Sequence, residues 1–285
     1  MTSAAPNLPH HILPLDDGEL HYTQAGDGGE AILLIHGSLC DYRYWRWQVP
    51  ALAERYRVLA PSLRGCWPDR QPHPQAAYRV DAHARDLARL IRSLDLGQGV
   101  HVVGHSRGAQ VALALAVQAP ALCRSLTLAD PGFRFDDEPE TTPFYAHAVE
   151  QLRAGDVDGA LEGFIDTVNG ADTWRKMVGW FKDMTRDNAM TLLSQILEAN
   201  TPVRLLDAAA LNGPLLLVGG ANSPAKYGVR QDRLQQMHPH ARRARIALAA
   251  HGMNLANPRA FNRAVLEFVD SARAPTVSAT VAAAR

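Results

Sequence analysis

The feature that most restricts the fold of this chain is a short, uninterrupted apolar run that keeps recurring. Ala31–Ile35 reads Ala-Ile-Leu-Leu-Ile, with no polar residue to mark a solvent face. A strand covered on both sides has that character, whereas a half-exposed strand alternates. Arg57–Pro61 and residues 100–104, 125–129 and 215–218 repeat that largely apolar character. Between these runs, residues 44–56, 78–94 and 110–118 carry apolar side chains at helical spacing, long enough for right-handed crossovers. The predicted class is α/β, a mostly parallel, doubly wound sheet of about eight strands. Upstream, His10–Leu15 and residues 18–23 flank an Asp16-Asp17-Gly18 turn, which reads as an antiparallel hairpin and makes the sheet mixed.

Residues 133–213 interrupt the alternation. Helical periodicity runs through 144–154, 156–168, 173–182 and 188–198 with no convincing strand, so this stretch is expected to be an inserted helical cap. The core domain is then residues 1–132 and 214–272, resuming with a helix near 230–237, a strand near 244–248 and a last helix over 258–268. Residues 273–285 are rich in Ala, Ser, Thr and Val and read as a flexible tail. Phe144, Trp174 and Trp180 in the cap, with Leu39 below it, are the candidates for lining a substrate cavity.

Charge narrows the partners. The 29 Lys and Arg balance 29 Asp and Glu, so nothing recommends a nucleic-acid partner. No apolar run has the length of a membrane span, and Asp16, Asp17 and Glu19 stand where a signal peptide would be apolar, so no membrane partner and a cytoplasmic location are expected. Cys40, Cys66 and Cys123 lack zinc-ligand spacing and read as reduced thiols, with no metal and no cofactor.

The chemistry concentrates at Gly104-His105-Ser106-Arg107-Gly108, between an apolar strand and a helix. A serine on so tight a turn stands exposed at the carboxyl edge of the sheet, and small residues two positions either side keep neighbouring chain clear. A hydroxyl is a weak nucleophile without a base. His251, directly after the last predicted strand, reaches the same edge and is the candidate. The amides of Ser38 and Arg107, after the strand Ala31–Ile35 and at the start of the helix after Ser106, are placed to receive an oxyanion. His36 and His105 lie close by but are held in tight turns and read as structural.

These residues resemble the α/β-hydrolase superfamily over roughly residues 18–268: His36-Gly37, Trp45 downstream, Arg64-Gly65, the elbow around Ser106, and His251-Gly252. The resemblance implies the order Ser, acid, His. Two departures stand out. Ser62 occupies a position where many members carry an aspartate. The loop Gly219-Gly220-Ala221-Asn222-Ser223-Pro224, where the acid commonly lies, has no carboxylate. Asp130, just beyond the strand after the elbow, is the candidate acid, as in some haloalkane dehalogenases; Asp232 and Asp207 are weaker alternatives. The expected activity is serine hydrolysis of a largely apolar small-molecule ester or lactone through an acyl-enzyme. Carbon–carbon bond hydrolysis, cofactor-free perhydrolysis and a non-catalytic receptor are the competing readings.

Overall fold

The computed structural model describes residues 9–69, 78–96 and 99–272, so the expected tail 273–285 lies outside the described residues. In chain order the strands are β1 (His10–Leu15), β2 (Gly18–Ala25), β3 (Ala31–Ile35), β4 (Arg57–Pro61), β5 (Val100–His105), β6 (Cys123–Ala129), β7 (Leu215–Gly220) and β8 (Arg242–Ile246). The α-helices are α1 (Val49–Ala53), α2 (Val80–Ser93), α3 (Arg107–Gln118), α4 (Ala146–Arg153), α5 (Val157–Asn169), α6 (Thr173–Lys176), α7 (Gly179–Asp187), α8 (Leu192–Gln195), α9 (Leu205–Ala209), α10 (Ala225–Met237), α11 (Met253–Ala256) and α12 (Pro258–Ser271).

The strands form one 8-stranded sheet in the order β1-β2-β4-β3-β5-β6-β7-β8. β1–β2 and β2–β4 pair antiparallel; every later pair is parallel. Alternate side chains of β3 enter opposite cores, Ile32 and Leu34 one, Leu33 and Ile35 the other, and all are fully buried. That double burial is why the run carries no polar residue, and each such side chain contributes about 1.5–3 kcal/mol of transfer free energy. From β3 the chain turns to β4 on one side and then crosses to β5 on the other. The crevice outside the carboxyl ends of β3 and β5 is therefore the switch point at which open α/β sheets bind ligands.

Several predicted boundaries move. The stretch 44–56 divides into a 3₁₀ turn over Tyr42–Trp45 and the short α1, where Pro50 fits a first helical turn. The helix expected over 173–182 breaks into α6 and α7, because Val178 is extended (ψ 151°) ahead of Gly179. Residues 188–198 alternate 3₁₀ and α geometry, and α10 begins at Ala225 rather than near 230. The last strand lies at Arg242–Ile246 instead of 244–248. It is an edge strand with exposed arginines, so the apolar run after it misleads; Leu248 is 88% exposed. α9 and α11 follow from no periodic signal, being only a turn or so long. Helices α4–α9 fill the chain between β6 and β7. No helix among the described residues is long and apolar enough to cross a membrane.

Candidate active site

The elbow is built by close approach of three backbone segments. Ser106 has φ 56° and ψ −120°, a left-handed value that a non-glycine residue adopts only under constraint. A Cβ on Gly104 would lie 2.3 Å from the Gly108 carbonyl oxygen, and one on Gly108 would lie 2.3 Å from that of Ile35. No side chain fits at either position, which gives the Gly-x-Ser-x-Gly spacing its physical cause. The Ser106 amide donates to the Ala129 carbonyl at 2.9 Å, and its own carbonyl accepts from Ala109 at 3.0 Å and Gly132 at 3.1 Å. The turn is thus anchored to β6 and to the loop after it.

Three further loops converge on this edge. After β6, Asp130 is fully buried at φ 40°, its amide bonded to the Val218 carbonyl at 2.9 Å. His251 follows β8, and its Nδ1 lies 3.2 Å from Asp130 Oδ2. The loop after β7, where a carboxylate was missing, supplies Ser223, whose hydroxyl donates to the same Oδ2 at 2.5 Å. Gln231 Nε2 donates to Oδ1 at 3.2 Å. The imidazole stacks on Tyr227 with centroids 4.3 Å apart, and the tilted ring of His105 is 4.6 Å away. His105 Nε2 also bonds the His251 carbonyl at 2.8 Å, and the Gly252 amide donates to Asn169 Oδ1 at the end of α5. The ring is therefore held on both faces and its loop is fixed at two points.

Burial dominates the electrostatics. It pushes His251 down to about 3, with Lys226 adding repulsion, and pushes Asp130 up to about 7 against the Ser223 hydroxyl and Gly220 amide. Above about pH 7 the pair is carboxylate and neutral imidazole, the form in which a histidine can accept a proton. His36, His83 and His105 are also buried and lowered by desolvation. The unfolded chain takes up these protons near pH 6.5 while the folded chain does not, so stability is present above that pH and is lost below it. Raised Asp130 and Asp86 oppose the effect. The lowered histidines outnumber the raised aspartates, so the unfolding free energy is expected to fall as pH drops below 6.5. Denaturant unfolding at pH 7.5, 6.5 and 5.5 checks it; a flat unfolding free energy would contradict it.

Ser106 forms part of the wall of two cavities. The larger, about 480 Å³, extends under the cap and is lined by Ser106, His251, Phe164, Val168, Met177 and Trp180 among others. The smaller, about 240 Å³, opens between α10 and the segment 132–145, and Phe144 faces it. Ser38 borders both, and its hydroxyl donates to Gln195 Oε1 at 2.7 Å. Gly37 presses the Ser38 loop onto the elbow: a Cβ there would be 3.0 Å from that of Ser106. The Arg107 amide opens α3, where a helix leaves its first N–H groups unsatisfied. A third hollow of about 650 Å³ lies at the opposite, amino edge of the sheet around Asp27, Arg57 and Arg124 and contains none of these groups.

Two expected cavity residues do not line either cavity at this edge. Leu39 is 1% exposed, turned into the core by its positive φ of 63°, and Trp174 is 6% exposed, packed below Lys182 and Arg186. Both are packing residues, corrected from the sequence expectation; burial beneath a helix and exposure to a cavity give the same aromatic pattern. Asp232 pairs with Arg243 and Asp207 with Arg204, both in exposed positions away from His251. The Arg107 side chain is bound to Glu198 at 3.2 Å and the Tyr78 carbonyl at 2.6 Å. Around Ser62 the loop is secured otherwise: its hydroxyl accepts from the Tyr42 amide, and buried Arg64 pairs with Asp86 and Asp17. Ser223, Tyr227 and Gln231 were not anticipated, since each acts through a neighbour rather than through a motif.

An elbow serine, a buried histidine–aspartate pair and this strand order together define the class. The α/β hydrolase fold model matches residues 30–255, and the chain belongs to that family of hydrolases. An AB hydrolase superfamily protein of Gibberella zeae is 39% identical over 108 residues, 38% of this chain and 37% of its own length. A soluble epoxide hydrolase of a Corynebacterium species is 32% identical over 123 residues, 43% of this chain and 42% of its own. The chain thus spans well under half the length of these curated relatives. Among solved structures, a hydrolase from Pseudomonas aeruginosa PA01 superposes with a TM-score of 0.77 at 23% identity, covering 93% of this chain and 99% of that one, a likeness of fold.

Proposed function

We propose that this chain is a serine hydrolase that cleaves a carboxylic ester or lactone of a largely apolar small molecule through an acyl-enzyme. The observation that carries the reading is the strained Ser106, opening onto the same cavity as an imidazole whose other nitrogen meets a buried carboxylate. Ser106 Oγ attacks the acyl carbon while its proton passes to His251 Nε2. The carbonyl oxygen, now negative, is received by the N–H groups of Ser38 and Arg107. Collapse expels the alcohol oxygen, which takes the proton back from His251. Water then gives a proton to His251 and attacks the acyl carbon, and collapse breaks the bond to Ser106 Oγ, which takes that proton from His251 as the carboxylic acid leaves. Asp130 keeps the proton of neutral His251 on Nδ1 and stabilises the transient imidazolium.

Epoxide hydrolysis through an alkyl-enzyme needs a carboxylate nucleophile, and residue 106 is a serine. The apolar wall of the larger cavity, with Phe164, Val168 and Trp180, favours an uncharged substrate portion there. A panel of aryl esters, medium-ring and macrocyclic lactones and a vinylogous 1,5-diketone tests the assignment. Turnover of esters or lactones with the diketone untouched is expected; diketone cleavage with esters inert would replace it by carbon–carbon hydrolysis.

A further inference from the structure

The smaller cavity differs from the larger in charge. Lys226 and Arg230 stand four residues apart on α10 and both border it, together with Ser106. Like charges at that spacing repel along a helix. Neither has a carboxylate within ion-pairing distance among the described residues. Lys226 instead lies 4.0 Å above the Phe144 ring, and Arg230 Nε is buried without a hydrogen-bond partner. Glu138, whose field reaches Arg230, is engaged by Arg233 and the Phe135 amide. Glu198, the carboxylate on the cavity wall, is held by Arg107 and the Val80 amide. Arg134 is occupied with the carbonyls of Glu138 and Asn200.

We infer that the smaller cavity holds a carboxylate of the substrate, bound by Lys226 and Arg230, while an apolar portion lies under the cap on the other side of the scissile carbonyl. The substrate class is then a monoester of a dicarboxylic acid, or a lactone bearing a free carboxylate. The inference rests on the serine-hydrolase reading and refines it. Ser106 sits where the two cavities meet, so a carbonyl at its oxygen can send one substituent each way. Burial and Arg230 push Lys226 down to about 8, repulsion that a bound anion would relieve. Arg230 offers a planar fork suited to a carboxylate.

A matched pair of probes tests this: 4-nitrophenyl hydrogen adipate and its neutral methyl ester, compared by kcat/KM. The native chain is expected to favour the acid by about tenfold or more at low salt, with the preference falling as salt is raised. In Arg230→Met, and further in the Lys226→Met/Arg230→Met double variant, the acid-to-ester ratio should fall to near one or below. Because the readout is a ratio within one preparation, a general loss of activity does not imitate it. Equal or faster hydrolysis of the neutral ester by the native chain would overturn the inference while leaving Ser106 as the nucleophile. Absence of turnover of both probes, with Ser106 unreactive to an organophosphonate, would overturn the hydrolase reading as well.

Discussion

Ser106→Ala is expected to lower kcat for ester hydrolysis by about five to six orders of magnitude while leaving the protein folded. The size follows from what is removed. Without Oγ there is no acyl-enzyme, and the remaining contributions are substrate binding and the amides of Ser38 and Arg107, which act only if water attacks directly. The substitution changes one atom on a residue whose backbone conformation is set by Gly104, Gly108 and the bond to Ala129 rather than by its own side chain. Circular dichroism and the unfolding midpoint should therefore be close to native, and KM should shift far less than kcat. Residual turnover within a hundredfold of native would place the nucleophile elsewhere.

Asp130→Asn is expected to lower kcat by about four orders of magnitude. An amide in place of the carboxylate still fills the buried site, but its NH₂ group can donate to Nδ1, which favours the imidazole tautomer with the proton on Nε2. That tautomer cannot accept the proton of Ser106. Ser223 and Gln231, which both donate to the carboxylate, turn from supporting partners into competitors for the amide oxygen. Ser223→Ala, by contrast, removes one donor and raises the proton affinity of Asp130, so its effect should be modest at pH 8 and grow below pH 7. A near-native rate in Asp130→Asn would reassign the orienting group.

The parallel strands and the elbow were legible in the sequence because each depends on a local pattern with one physical cause. β3 and most of β4, β5, β6 and β7 are buried on both faces and so are largely apolar, with buried His101, Ser125 and Thr127 among the exceptions, and the glycines flanking Ser106 answer to backbone contacts of 2.3 Å. β8 was displaced because an edge strand tolerates Arg242, Arg243 and Arg245 on its exposed side, which removes the apolar signal. The cap helices were legible as helices, but their facing was not: Trp174 packs inward while Trp180 borders the cavity, and periodicity carries no information that separates the two.

The missing carboxylate after β7 was readable as an absence, and the place where Asp130 sits was readable from strand order. What replaced the missing group was not. Ser223 occupies that loop and bonds the carboxylate supplied from β6, a contact between residues 93 positions apart. Lys226 and Arg230 were hidden for a related reason. The start of α10 carries no clear periodic face, so the helix was placed too late to bring both side chains to the cavity.

Covalent labelling tests the central claim most directly. The native chain is treated with a neutral fluorophosphonate at pH 8, digested, and searched for the adduct by mass spectrometry. One phosphonyl group on the peptide containing Ser106, absent from folded Ser106→Ala and strongly slowed in Asp130→Asn, is the predicted result. An unlabelled native chain, or an adduct that persists after Ser106 is replaced, would contradict an activated hydroxyl at the elbow.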